Sequence, residues 1–350
     1  MSTRIIQVEN QNFTVALPRQ DLLAVLEFYK SSNLNLFGTK ILITGATGFI
    51  GSLLVDALRM LNRDLNLNLE IYINSRNLGF YAQQIKNSKE LEDIHLIEGD
   101  VSNVLLPKVD FSHVIHAATP TTHNLAPNET KKIEKASVEG LSNVLSQMNA
   151  LKRVPRILNL SSGAAGFRQE IFESDVTSVR SKYARAKLAS EQVLESGNSE
   201  KVIHGMNARL FAFFGPRLPV GDHYAIGNFM RDAWLGNEIR VEGSGESVRS
   251  YMHTSDLTSK LLYLLSDGST GTFNIGSTSG YSIKYWAEMI SNHFNVPMII
   301  QGTCNSQESS YVSPPEFRIP VGPNENSPLI PLLESWYKWL DVNFKKSDFS

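Results

Sequence analysis

Lys40-Ile41-Leu42-Ile43-Thr44-Gly45-Ala46-Thr47-Gly48-Phe49-Ile50-Gly51 is the stretch whose reading decides the fold. Three apolar residues, Ile41 to Ile43, stop at Thr44 and a cluster of glycines. Beyond the glycines, Phe49, Ile50, Leu53, Leu54, Ala57, Leu58 and Leu61 recur at helical spacing. The pattern predicts a strand, a tight turn and the start of a helix. Gly45, Gly48 and Gly51 have no Cβ, so the turn can take unusual dihedral angles and a phosphate can touch the backbone. The helix N-terminus offers unpaired N–H groups and the positive end of a dipole to a pyrophosphate. The competing reading is a buried turn in an α/β core.

Composition sets the bounds. The chain has 350 residues, is 42% hydrophobic and 19% charged, and has a net charge of -2. That is ordinary globular composition for one large domain or two, with nothing that points to nucleic acid or an acidic membrane. Its one cysteine, Cys304, allows no internal disulfide and has no neighbouring base to make it a nucleophile. Residues 1–30 carry charges throughout, unlike a signal peptide, and no apolar run is long enough to span a bilayer. A cytoplasmic protein is the expectation. No zinc spacing or metal cluster is present in the sequence.

The glycine spacing GxxGxxG departs from the common GxGxxG dinucleotide fingerprint. TGATGFIG instead resembles the extended short-chain dehydrogenase/reductase superfamily, whose members include nucleotide-sugar epimerases and dehydratases. The resemblance runs from about Thr39 to about Asn292. It implies a Rossmann-type, doubly wound parallel sheet over residues 39–205. A smaller C-terminal α/β substrate-binding domain is expected over 206–350, some of whose strands and helices return to the first. Residues 1–38 precede the usual start, and a helix is expected from Pro18 to about Lys30. That extension either packs on its own domain or locks a dimer.

The resemblance also assigns a cofactor site, NAD or NADP. Its glycine turn is Gly45, Thr47, Gly48, Phe49, Ile50 and Gly51. Strand Leu69–Ile73 leads to Asn74-Ser75-Arg76, near the adenosine ribose in such folds. No acid stands there to repel a 2′-phosphate, and Arg76 can fork onto one, which favours NADP. Strand Asp93–Ile97 leads to Asp100 and Val101, the acid being the family's partner for the adenine amino group. Strand Phe111–His116 leads to Ala117, Ala118 and Thr119, small enough to leave room for ribose and diphosphate. Leu160 completes the set, and His116 reads as a strand-end residue rather than a base. A helix is expected over Ala136–Met148, with Ser137 where the family often has Asn.

The chemistry is expected where strand Arg156–Leu160 runs into Ser161-Ser162 and helix Val179–Leu194 carries Tyr183 and Lys187. Residues four apart share one helix face. A lysine ammonium would lower the tyrosine pKa and make it a base near neutrality, while Lys187 also holds the nicotinamide ribose. The degenerate tail Ala165-Gly166-Phe167, in place of Val-Tyr-Gly, puts Ser162 in the catalytic position with Ser161 as a neighbour able to replace it in part. Residues 170–180 are expected to loop over this site.

Further on, a strand is expected over Val202–Phe214 and a helix from Asn228. The segment 243–257 resembles the one that holds the nucleotide of a nucleotide sugar, with Arg249 on the diphosphate, Asn228 on the substrate and Asp256 opening a helix. A strand Gly271–Ile275, a helix Ser282–Phe294 and a last helix Leu332–Phe344 complete the outline. The family's helix pair 136–148 and 179–194 implies a homodimer.

Dehydratases and decarboxylases of the family place an acid just after the catalytic Ser or Thr. Here those positions are Gly163 and Ala164. The expectation is therefore oxidoreduction at C4 of a nucleotide diphosphate sugar, by 4-epimerisation or 4-keto reduction. Two alternatives stand: a dehydratase or decarboxylase drawing its acid from Glu170 or Glu173, and a non-catalytic dinucleotide-binding sensor or scaffold.

Overall fold

The computed structural model describes residues 16–79, 93–120, 131–148, 154–166, 179–220, 224–302 and 309–349. The chain enters through α1 (Arg19–Ser31), β1 (Lys40–Thr44) and α2 (Phe49–Leu65). Strands β2 (Glu70–Ser75), β3 (Ile94–Glu98) and β4 (His113–His116) follow. The next helical region is α3 (Lys131–Glu134), a π-helical stretch Lys135–Glu139, and α4 (Gly140–Met148). Then come β5 (Arg156–Ser162), α5 (Val179–Ser199) and β6 (His204–Leu210).

The expected strand 202–214 is two strands. It breaks at Phe211, and β7 (Ala212–Phe214) joins a different sheet. Helix α6 (Ala225–Leu235) begins before Asn228, with Tyr224 at its N-cap. Short strands β8 (Ile239–Val241), β9 (Val248–Arg249) and β10 (Tyr251–His253) lead to α7 (Thr254–Ser266), which carries Asp256 in its first turn. The remainder is β11 (Gly271–Ile275), β12 (Tyr281–Ser282), α8 (Ile283–Phe294), β13 (Met298–Ile300), β14 (Ser310–Tyr311) and α9 (Leu329–Asn343).

Seven strands form the main sheet in the order β11-β6-β5-β4-β1-β2-β3, every pair parallel. Parallel strands buried on both faces read as continuous apolar runs, as Ile41, Leu42 and Ile43 do, each fully buried. The order reverses between β1 and β4, and in such sheets ligands bind beyond the carboxyl ends of the strands at this point. The glycine turn follows β1 there. Strand β11 returns to this sheet from late in the chain, pairing with β6. A second apolar cluster gathers Phe214, Phe229, Trp234, Trp286 and Trp336 from the C-terminal half.

Helix α1 packs against α7 and α2. Val25, Leu26 and Tyr29 join the main core, and Trp339 Nε1 donates to the Ala16 carbonyl at 2.9 Å. Thus the N-terminal helix is built into its own subunit's core. It also carries a buried carboxyl, Asp21, whose Oδ2 lies 3.9 Å from His253 Nε2. Burial pushes Asp21 up from 3.8 to about 7 and His253 down from 6.5 to about 3.

The two groups act in opposite senses. The folded state keeps a proton on Asp21 that the unfolded chain gives up, so this group's contribution falls as pH rises from about 4 to about 7. His253 refuses a proton that the unfolded chain accepts, so its contribution falls as pH drops from 6.5 towards 3. Asp21→Asn removes only the first. In denaturant titrations it should match the parent near pH ~3.5, where Asp21 is protonated in the folded state and largely so in the unfolded chain, and exceed it by at least ~1 kcal/mol near pH ~8. The same offset at both pH values would take Asp21 titration out of the account.

Candidate active site

The glycine turn is shaped as a phosphate cradle needs. Gly45 has φ +66°, and a Cβ there would lie 2.6 Å from the Ala117 carbonyl oxygen and from Ala118 Cα. A Cβ on Gly51 would overlap the Gly45 backbone, and Gly48 is the N-cap of α2. Side chains at Gly45 and Gly51 would force the turn off the neighbouring backbone. Without them it closes tightly and brings the free N–H groups at the start of α2 up to the end of β1, which fits the pyrophosphate of a dinucleotide. The turn is braced from below: Arg217, buried and at φ +67°, donates to the Ser52 carbonyl at 2.9 Å and pairs with Asp56, both on α2.

At the end of β2 the three expected residues divide. Asn74 is buried and donates to the Ile97 and Gly99 carbonyls, so it is a structural tie to β3. Ser75 shares a hydrogen bond with Thr47 of the glycine turn, and Arg76 is exposed. Asp100 accepts from the Ser102 amide and hydroxyl and, at 3.4 Å, from Lys135. Those Ser102 bonds hold its carboxyl below the usual range. Val101 lies buried under Gly140, where a Cβ would collide with it.

His116 is a structural residue, as its strand-end place suggested. It bridges Thr44 Oγ1 at 2.9 Å and the Ala136 carbonyl at 3.1 Å, and burial pushes it down to about 3. The second bond reaches into the π-helical stretch.

Ser162, Tyr183 and Lys187 come together. Lys187 is buried and donates to the Leu160 carbonyl at 2.6 Å and to Thr119 Oγ1 at 2.8 Å. Thr119 in turn meets Ser137, so the serine that replaces the family's Asn completes this chain of contacts. The Tyr183 ring centre lies 5.9 Å from Lys187 Nζ, and its hydroxyl bonds to Ser162.

The expectation that Lys187 lowers the Tyr183 pKa needs correcting for the protein alone. Burial and the neighbouring phenols of Tyr311 and Tyr224 push Tyr183 well above its ordinary 10. Lys187 is itself pushed down to about 7, because desolvation outweighs the attraction of Glu191. An ammonium that costs this much to bury has little charge left to lend.

The two serines point to opposite faces of β5, as successive strand residues must. Ser162 faces Tyr183. Ser161 donates to Glu191 Oε1 at 2.6 Å, and Arg209 pairs with the same carboxylate through Nε at 2.9 Å and Nη2 at 2.7 Å. Ser161 is thus committed elsewhere and cannot replace Ser162.

Sequence reading missed Tyr311 and Phe211. Tyr311 Oη lies 3.3 Å from Ser162 Oγ and donates to the Leu210 carbonyl at 3.2 Å, with its ring against Phe211. The signal was absent because the family's own pattern fades in that part of the chain. Arg249, expected on a diphosphate, pairs in register with Tyr311 across β9 and β14. Its guanidinium donates to the Val248 carbonyl and to Ser309 through both carbonyl and hydroxyl. Asn228 is half-buried on the first turns of α6 and accepts from Arg231 at 3.5 Å. Glu170, Glu173 and Cys304 lie outside the described residues, as does most of the stretch 170–180 expected to be a loop, whose last two residues, Val179 and Arg180, begin α5. Among the described residues no group of three or more His, Cys, Asp or Glu could hold a metal, and no helix is long and apolar enough to cross a membrane.

The sequence profile of the NAD dependent epimerase/dehydratase family matches residues 41–276, from the first strand of the sheet to the end of β11. The chain belongs to that family. Among curated relatives, this family member is 27% identical over 278 residues to UDP-glucuronic acid decarboxylase 3 of Arabidopsis thaliana, covering 77% of this chain and 78% of that one. Among solved structures, it is similar to a UDP-N-acetylglucosamine 4-epimerase from Methanobrevibacter ruminantium M1, at TM-score 0.72 and 20% identity over 88% of this chain and 100% of that one. It is also similar to the UDP-glucuronic acid 4-epimerase from Bacillus cereus in complex with UDP-glucuronic acid and NAD. There the TM-score is 0.68 and the identity 17%, over 87% of this chain and 100% of that one. At these identities the structures speak for the fold.

Proposed function

We propose that this family member is an oxidoreductase acting at C4 of a UDP-sugar, as a 4-epimerase or 4-keto reductase, using NAD or NADP. One observation carries the choice of reaction. A Cβ at Gly163 would lie 2.7 Å from the Phe211 ring and 2.8 Å from Tyr311 Oη. A side chain next to Ser162, where the family's dehydratases and decarboxylases carry an acid, would have to displace Phe211 and Tyr311, and neither Gly163 nor Ala164 supplies that acid. Proton transfer by Tyr183 needs no such acid.

In this reading Gly45, Gly48 and Gly51, with the N–H groups of Phe49 and Ile50, hold the pyrophosphate of the dinucleotide. Thr47, Ser75 and Arg76 lie towards the adenosine ribose, and Asp100 and Val101 towards adenine. Ala117, Ala118, Thr119 and Leu160 line the rest. The dinucleotide, when bound, supplies the hydride acceptor and donor for C4. Tyr183 Oη takes the proton of the C4 hydroxyl during oxidation and returns one to the C4 oxygen during reduction. Ser162 holds that oxygen in line, and Lys187 orients the ribose. Arg249 and Asn228 hold the nucleotide diphosphate. A homodimer through α4 and α5 is part of the same reading, and a monomer in sedimentation at micromolar concentration would refute it.

Similarity to the decarboxylase supports a second reading, in which Glu170 or Glu173 supplies the acid. Incubation with UDP-glucuronic acid, UDP-glucose and UDP-N-acetylglucosamine, each with NAD and with NADP, separates the two by NMR of the products. The expected product is the C4 epimer, or the 4-keto sugar in exchange with it, with every carbon retained. A UDP-pentose with release of carbon dioxide would establish the decarboxylase. Loss of water would establish a dehydratase, and no turnover at all would leave a sensor or scaffold. In parallel, Arg76→Ala should weaken NADP about ten-fold and leave NAD unchanged, the worth of one charged hydrogen bond. An unchanged ratio of the two affinities would remove Arg76 from cofactor choice.

A further inference from the structure

We propose that Tyr311 is a positioning residue that sets the direction of the hydrogen bond between Ser162 and Tyr183. The inference rests on the reading of Tyr183 as the acid/base. It follows from counting protons along the contacts. A phenol carries one proton, and Tyr311 donates its proton to the Leu210 carbonyl at 3.2 Å. At Ser162 Oγ, 3.3 Å away, the Tyr311 oxygen therefore accepts, and the serine proton is the one shared. With its proton held by Tyr311, Ser162 Oγ accepts from the Ala164 amide at 3.2 Å and is left to accept from a protonated Tyr183. Only a serine proton turned away from Tyr311 gives Tyr183 the bond that lowers its pKa. The arrangement suits a protonated Tyr183, ready to give its proton to an oxygen at C4.

The packing fixes this arrangement. The Tyr311 ring lies against Phe211, with centroids 4.9 Å apart, and its hydroxyl fills space that a side chain at Gly163 would need. Its backbone is held in register with Arg249. Tyr311 acts on the reaction through Ser162 and leaves both proton transfers to Tyr183. Without the Tyr311 hydroxyl, the Ser162 proton is free to turn towards Tyr183. A hydrogen bond donated to the phenolate stabilises it, so Tyr183 would ionise at lower pH.

The test is the pH dependence of kcat/KM for oxidation of whichever of UDP-glucuronic acid, UDP-glucose and UDP-N-acetylglucosamine the parent turns over. Tyr311→Phe keeps the ring on Phe211 and removes only the hydroxyl. The pH at which activity rises to half its plateau should fall by about one unit. In a Ser162→Ala background the same change should leave that midpoint where it is. No shift in Tyr311→Phe, or an equal shift with and without Ser162, overturns the inference, whatever happens to kcat alone. Tyr183→Phe assayed beside it separates the levels. If that variant keeps full turnover, or the parent turns over none of the three sugars, the reading of the site falls and the inference falls with it. If Tyr183→Phe is inactive and Tyr311→Phe shows no shift, only the role of Tyr311 is lost.

Discussion

Tyr183→Phe should bind dinucleotide as the parent does and lose about two to four orders of magnitude in turnover, the usual worth of a positioned acid/base. The substitution keeps the ring and removes one oxygen. Cofactor binding survives because Lys187 is anchored independently, on the Leu160 carbonyl and Thr119 Oγ1. Lys187→Met, by contrast, should lose both turnover and cofactor affinity, since in the proposed reading the ammonium group that adjoins the phenol also orients the ribose. Ser162→Ala should cost about ten-fold, one hydrogen bond. The loss is not rescued by Ser161, whose hydroxyl is held by Glu191 on the other face of β5. Fluorescence titration with NADH and product NMR read the two properties separately. Full turnover by Tyr183→Phe would show that the proton moves by another route.

The second large effect is expected at a residue that is not one of the proposed reacting groups. Glu191→Ala should destabilise the fold by about 3–5 kcal/mol, because removing one partner leaves the other charge stranded. Glu191 is 1% exposed and its two oxygens accept three hydrogen bonds, two from Arg209 and one from Ser161. Arg209 is only partly reached by water. A loss of that size is a large share of the stability of an ordinary domain. The same change withdraws the negative charge that favours protonated Lys187, so a smaller fraction of that lysine should be charged near neutrality. Urea unfolding of the purified variant measures the first effect. A difference below about 1 kcal/mol would mean that water reaches Arg209 and replaces the carboxylate.

Local patterns carried the reading where the physics is local. Ile41–Ile43 with its glycines and the helical repeat from Phe49 gave β1, the turn and α2, because strand period, helix period and the need for φ above zero are all properties of near neighbours. Tyr183 and Lys187 share a helix face for the same reason. The expected strand 202–214 failed at Phe211, since an apolar run does not record where the chain leaves one sheet for another. Asp21 was read simply as part of a helix start, although folding buries it beside His253, more than two hundred residues further along.

The sequence by itself determined the sheet, the glycine turn and the identity of the three groups at the candidate site. Short-range spacing and residue type specify all of these. Only the tertiary structure decided which serine faces Tyr183, that Tyr311 touches Ser162, and that a side chain at Gly163 would collide with Phe211 and Tyr311. It also reversed the expected direction of the Tyr183 shift. The physical reason is common to all four. A hydrogen bond's direction, the space beside a Cα and the cost of a buried charge depend on atoms brought in from distant strands, and spacing along the chain does not record them.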